Sequence, residues 1–139
     1  MKKFLLLILT FPLLFCCSNN DFNNKNPFIP NYTFTVDINM NLPAYSNLKF
    51  VSNGVYFPNV GARGIIIFNT TGTGYNAFDA ACPNQALSTC STMTINGINA
   101  VCACDSAQYS LFTGQSAGKQ YSMKQYRVEV LGNIIRVYN

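Results

Sequence analysis

The stretch 82–105, CPNQALSTCSTMTINGINAVCACD, decides how the rest of this 139-residue chain is read. It holds four of the six cysteines, Cys82, Cys90, Cys102 and Cys104, in a chain without a histidine. Such a cluster could hold a metal, staple loops together, or be what is left of a site whose other ligands are gone. Asn96-Gly97 is the strongest two-residue turn signal in the segment, so TMTINGINAV (92–101) reads as a small hairpin with a loop on either side. The whole region 82–118 is rich in Ser, Thr, Gly and Ala.

Working outward, the flanks are β in character. GARGIIIFNT (61–70) carries a continuous apolar run bounded by glycines and reads as a core strand. TGTG (71–74) turns the chain, and YNAFDAA (75–81) returns it to Cys82. Upstream, YTFTVDINMN (32–41) alternates with period two, placing Tyr32, Phe34, Val36, Ile38 and Met40 on one side of a half-buried strand. NLKFV (47–51) and GVYF (54–57) read as further short strands. At the far end YRVEVLGNIIRVYN (126–139) is two alternating runs around Leu131-Gly132-Asn133, a terminal hairpin. No long segment of helical period and no internal repeat interrupts this pattern, so the expected class is all-β.

The N-terminus is a leader by pattern. MKK is a positive start and FLLLILTFPLLF (4–15) is an apolar run too short to span a bilayer comfortably. Leu14-Phe15-Cys16-Cys17 resembles a bacterial lipobox with Cys17 as the lipidated residue. Lipid on Cys16 would put bulky Phe15 at the cut, and an ordinary secretory cut nearby is the plainer alternative. The expected division is a signal peptide over 1–16, a flexible asparagine-rich tether over 17–31 whose Phe28 and Ile29 can dock on the domain edge, and a domain over 32–139. Export would place the remaining cysteines where disulfides persist, with the membrane as a partner through the lipid. Of the nine basic residues, Lys2 and Lys3 lie in the leader, and seven scattered ones against five acids make no nucleic-acid surface.

Spacing adds a resemblance. Cys82-Pro83-Asn84, seventeen residues, then Cys102-Ala103-Cys104-Asp105 is similar to the Rieske iron–sulfur motif, C-x-H-x(15–17)-C-x-x-H, with both histidines replaced. GIIIFNTTGTGYNAFDAACPN (64–84) resembles the approach to the first Rieske loop, CACDSAQYSLFTGQ (102–115) resembles the second, and 126–139 the family's last hairpin. The likeness runs over residues 33–139 and implies an antiparallel Rieske-like β-sandwich carrying a small two-loop subdomain. The family's usual proline is Ala103 here, and its later Gly-Pro appears as Gly118-Lys119. In that family two thiolates hold one iron and two imidazoles the other. The likeness puts Cys82 and Cys102 at the thiolate positions and Asn84 and Asp105 at the imidazole positions. It implies that Cys82 and Cys102 converge, and it matches Cys90 and Cys104 to the family's extra cysteine pair. The expected bridges are therefore Cys82–Cys102 and Cys90–Cys104, with no cofactor. The alternative is an unusual [2Fe–2S] centre on Cys82, Cys102, Asn84 and Asp105.

Other chemistry is sparse. Without histidine there is no triad of the usual kind, and the glycine-rich turns have no following helix and lysine to cradle phosphate. Asp79 reads as a strand end and Asp105 as a turn cap. Tyr75, Tyr109, Tyr121 and Tyr126 read as sheet and core residues, with Tyr109 and Phe112 forming a satellite core by the second loop. Three functions follow as expectations: a lipid-anchored, non-enzymatic binding or structural module of the envelope with an envelope protein as partner; an electron-transfer protein; and a thiol–disulfide partner using Cys102-Ala103-Cys104.

Overall fold

A computed structural model describes residues 25–139. Its strands are β1 (Thr35–Asn39), β2 (Gly54–Phe57), β3 (Ile65–Asn69), β4 (Tyr75–Asp79), β5 (Thr94–Asn96), β6 (Asn99–Val101), β7 (Gln108–Ser110), β8 (Gln125–Leu131) and β9 (Ile134–Tyr138). They form a curled six-stranded antiparallel sheet in the order β1-β9-β8-β4-β3-β2 and a three-stranded sheet β5-β6-β7. The all-β expectation holds. Among the described residues no helix is long and apolar enough to cross a membrane. The expected leader, Cys16, Cys17 and the first part of the expected tether lie outside the described residues.

β3 is the wall between two cores. Side chains of a strand alternate between faces, so Ile66 and Phe68 point one way and Ile65 and Ile67 the other, and all four are buried. The first pair packs with Phe78, Met93, Ala100, Tyr109, Leu111 and the buried cysteines. The second packs with Ile38, Leu48, Ala77, Tyr126, Ile135 and Val137. This double burial explains why β3 reads as a continuous apolar run rather than an alternating one. β4 continues the alternation beyond its end: Phe78, Ala80 and Cys82 all face the core beneath the small sheet. Each fully buried Ile or Phe in these cores stabilises the fold by about 1.5–3 kcal/mol relative to leaving it in water.

Several expectations need correction. NLKFV (47–51) is not a strand. Pro43, with its preset φ, starts a 3₁₀ helix over Pro43–Lys49, and Ser46 Oγ donates back to the Pro43 carbonyl at 3.0 Å. Only Leu48 is buried there, while Phe50 is 65% exposed. The first strand is shorter than 32–41, and Tyr32 at its start is exposed, although Ile38 and Met40 are buried as the alternation expects. In the small hairpin Asn96 pairs with Asn99, so Gly97-Ile98 is the loop rather than Asn96-Gly97. Gly97 alone takes positive φ (59°), the II′ arrangement. A third strand, β7, joins that hairpin, pairing Ala100 with Tyr109. The terminal hairpin turns at Gly132-Asn133, and its outer end leaves Val130 and Leu131 exposed.

Residues 25–31, the end of the expected tether, lie against the domain. Ile29 is 2% exposed. Asn26 Nδ2 donates to the Pro83 carbonyl at 2.8 Å, and the Phe28 ring meets Tyr121 edge-on at 5.9 Å. Lys124, itself buried, donates to Asn31.

Candidate functional site

Three loops meet at one end of the small sheet. Loop 1 runs from the end of β4 to β5 and is closed by Cys82 N donating to the Ser91 carbonyl at 2.8 Å and Met93 N to the Ala80 carbonyl at 2.7 Å. Ser91 is buried and holds Ser88 on both sides: its Oγ accepts from Ser88 N and donates to the Ser88 carbonyl, each at 2.8 Å. Loop 2 joins β6 to β7. Cys102 N donates to the Ala107 carbonyl and Ser106 N to the Cys102 carbonyl, both at 2.9 Å. Loop 3 joins β7 to β8. It passes under Phe78 at Gly114, where a Cβ would stand 2.8 Å from the Phe78 ring.

The four cysteines lie between loops 1 and 2. Cys82 is bonded to Cys102 and Cys90 to Cys104, with Cα–Cα separations of 5.6 and 5.1 Å. Cys82 and Cys102 are each 1% exposed, Cys104 is half-buried and Cys90 is exposed. The two bridges are adjacent: the Sγ atoms of Cys82, Cys102 and Cys104 all lie within 4.8 Å of one another.

Asn84 and Asp105 are both engaged, and both hold loop 3. The Asn84 amide pairs with a peptide group: its Nδ2 donates to the Tyr121 carbonyl at 2.7 Å, and its Oδ1 accepts from Tyr121 N at 2.9 Å. Nδ2 also donates to the Tyr109 hydroxyl at 2.9 Å. Burial pushes the Tyr109 phenol above its ordinary pKa, while the Asn84 hydrogen bond pulls the other way. Asp105 accepts from Lys119 Nζ at 2.6 Å and from Ala107 N at 3.0 Å. The Lys119 bond first, then the Ala107 N–H, hold its carboxyl below the usual carboxylate range, and Asp105 in turn raises Lys119. Asp105 is thus both the expected turn cap and an ion-pair partner.

The sequence marks Asp79 only as the end of a strand. Its carboxylate is buried and is a hub: it accepts from Ala62 N at 2.6 Å, Arg63 N at 3.3 Å, Ala81 N at 2.8 Å and Tyr126 Oη at 2.7 Å. It therefore fixes the exit of β4 into loop 1 against the loop before β3 and against β8. Its partners are up to 47 residues away in sequence, so no local pattern announces them. Of the expected satellite pair, Tyr109 is fully buried in the core, while Phe112 is 40% exposed and packs edge-on to Phe68.

No protein-family model and no curated protein matches the sequence. Solved structures do match. One is the complex of reduced oxygenase and oxidised ferredoxin in carbazole 1,9a-dioxygenase, at 18% identity and TM-score 0.51, covering 75% of this chain and 92% of that one. Another is the ferredoxin of carbazole 1,9a-dioxygenase from Nocardioides aromaticivorans, at 12% identity and TM-score 0.50, covering 78% and 98%. A quaternary ammonium Rieske monooxygenase matches at 16% identity and TM-score 0.53, over 76% of this chain and 30% of its own. In fold, the chain is a Rieske-like domain.

The residues present do not fit the two-histidine [2Fe–2S] centre that this fold implies. The chain has no histidine. At the positions that the resemblance gives to the cluster ligands, the Asn84 amide spends both its oxygen and its nitrogen on Tyr121 and Tyr109. The Asp105 carboxylate is neutralised by Lys119. The Cys82 and Cys102 sulfurs are bonded to each other.

Proposed function

We propose that this is a lipid-anchored protein of the cell envelope whose Rieske-like domain has lost the two-histidine cluster and serves as a non-enzymatic binding or structural module. The observation that carries the reading is the reuse of the ligand positions. Asn84 and Asp105 each tie loop 3 down, and Cys82 and Cys102 bond to each other, so the loop end has fasteners where a cluster would need donors. The lipobox pattern at 14–17 supports the anchor on Cys17. From Cys17 to Lys25, where the described chain begins, full extension reaches about 30 Å. Because residues 26–28 rest on Pro83 and Tyr121, such an anchor would hold the loop end near the membrane, where it would meet an envelope partner.

The grouping of Cys82, Cys102 and Cys104 sulfurs favours a second reading, an electron-transfer protein with an unusual iron–sulfur centre on thiolates. The absorbance and metal content of anaerobically purified protein separate the two. The proposal expects a colourless protein without stoichiometric iron. A brown protein that bleaches on reduction would establish the electron-transfer reading.

A further inference from the structure

We propose that the two disulfides form a relay, in which reducing equivalents enter at the exposed Cys90–Cys104 bond and pass through Cys104 to the buried Cys82–Cys102 bond. This rests on the cysteine pairing and is independent of the lipid anchor and of any binding role. Three observations carry it. The bridges differ in access: Cys90 is exposed, whereas Cys82 and Cys102 are each 1% exposed, so an external thiol reaches only the first. The bridges are close: Cys104 Sγ lies within 4.8 Å of both buried sulfurs. The outer bridge also has a polar neighbour, since Ser88 Oγ lies 3.3 Å from Cys90 Sγ and 3.7 Å from Cys104 Sγ. Ser91 and the Arg63 guanidinium, which donates to the Ser88 carbonyl at 2.7 Å, hold Ser88 in place.

The chemistry is ordinary thiol–disulfide exchange with an external dithiol, protein or small molecule, as reductant. One thiolate of the dithiol attacks Cys90 Sγ. The Cys90–Cys104 bond breaks and its electron pair leaves on Cys104 Sγ, where the Ser88 hydroxyl can donate a hydrogen bond to the new thiolate. The dithiol's second sulfur attacks the mixed disulfide, closes the dithiol's own S–S bond and releases Cys90. The Cys104 thiolate then attacks Cys82 Sγ: the Cys82–Cys104 bond forms, the Cys82–Cys102 bond breaks, and Cys102 takes the electron pair. Attack on Cys102 would instead close a ring across Ala103 alone, between neighbours two apart on the chain. The dithiol loses two electrons, its two protons end on Cys90 and Cys102, and the protein keeps one disulfide, moved to Cys82–Cys104.

The test is to treat the full-length protein, purified in detergent without reductant, with one equivalent of dithiothreitol, then quench in acid, alkylate and map the linkages. All four cysteines fall between Arg63 and Lys119, so trypsin leaves them in one peptide. Cyanogen bromide at Met93 and chymotrypsin at Leu87 separate Cys82, Cys90 and the Cys102/Cys104 pair, and fragmentation distinguishes the last two. The relay predicts a Cys82–Cys104 linkage with alkylated Cys90 and Cys102. In the double variant Cys90→Ser, Cys104→Ser it predicts that the Cys82–Cys102 bond reduces on the order of tenfold or more slowly than in the wild type. Equal rates in a folded double variant, or loss of the Cys82–Cys102 link in the wild type with no Cys82–Cys104 link at any stage, would overturn it. If the variant does not fold, the wild-type map decides alone.

Discussion

The side chain of Asn84 and the main chain of Tyr121 form a two-point amide pair, 2.7 Å from Nδ2 to the carbonyl and 2.9 Å from the peptide N to Oδ1. An imidazole in the same place has no carbonyl-like acceptor beside a donor, so it cannot make that pair. The Asn84 amide is well suited as a fastener between loops 1 and 3. Asn84→Ala is expected to cost about 1–3 kcal/mol, because it leaves a peptide N–H and C=O and the Tyr109 hydroxyl short of partners. Tyr109→Phe, which removes one of those bonds, is expected to cost about 0.5–1.5 kcal/mol. Urea unfolding of the two variants checks the order. An Asn84→Ala protein as stable as the wild type would mean that the pair does not hold loop 3.

The Asp105–Lys119 pair sets a pH signature. Asp105 has its folded pKa lowered, so its contribution is present above the unfolded carboxylate pKa, about 4, and is lost as pH falls through the folded value. Lys119 has its folded pKa raised, so its contribution is present below the unfolded lysine pKa, about 10.4, and is lost as pH rises through the folded one. The stability difference between wild type and Lys119→Gln should therefore be flat across the neutral range and shrink at both extremes. Both groups are largely solvated, so the difference is small and should fall with added salt. Chemical unfolding at several pH values reads it directly; a difference that grows in acid would contradict the pairing.

Asp79 is expected to be the most sensitive polar position in the core. Asp79→Asn turns an acceptor of four hydrogen bonds into a group with one oxygen and an NH₂ facing other donors, and should cost about 3 kcal/mol or more. Gly61→Ala should also destabilise, since its φ is +66° and a Cβ would fall 2.4 Å from Asp79 Oδ2. Burial first, and the Asp79 charge second, hold the Tyr126 phenol neutral far above its usual pKa. In an alkaline titration one tyrosine should stay un-ionised until the protein unfolds, and Tyr126→Phe should remove that late step. A full complement of phenolate in the folded wild type would sink this assignment.

Lipidation at Cys17 predicts that a fatty-acid probe labels the wild type and not Cys17→Ser. Labelling that survives in Cys17→Ser and disappears in Cys16→Ser would move the site by one residue.

The parts of this fold legible in the sequence are those whose signal is local. The run at 65–68 is apolar because both its faces are buried, and the terminal hairpin alternates because much of one face is solvated. The segment 47–51 misleads because Leu48 is its one buried residue and Pro43, seven residues before the apolar pair Phe50-Val51, starts the 3₁₀ helix that sets its backbone. The convergence of Cys82 with Cys102 came from likeness to a family, since spacing alone leaves every pairing open. The roles of Asn84 and Asp79 were illegible for a plainer reason. Their partners Tyr121 and Tyr126 lie 37 and 47 residues on, and a polar side chain carries no mark of what it will meet. The one hint was Gly118-Lys119, where the family's Gly-Pro is altered beside the residues that receive Asp105 and Asn84.

The most direct measurement of whether bonds between residues, rather than a cluster, hold the loop end is thermal unfolding of the oxidised protein with a strong chelator and, separately, with excess reductant. Bridges spanning 20 and 14 residues are worth about 3 kcal/mol each by loop closure. Fastening by disulfides predicts an unchanged midpoint with chelator and a fall of about 10 °C or more with reductant. A midpoint that drops with chelator while reductant leaves it in place would rule out disulfide fastening, because a metal that binds only the folded chain couples its loss to unfolding.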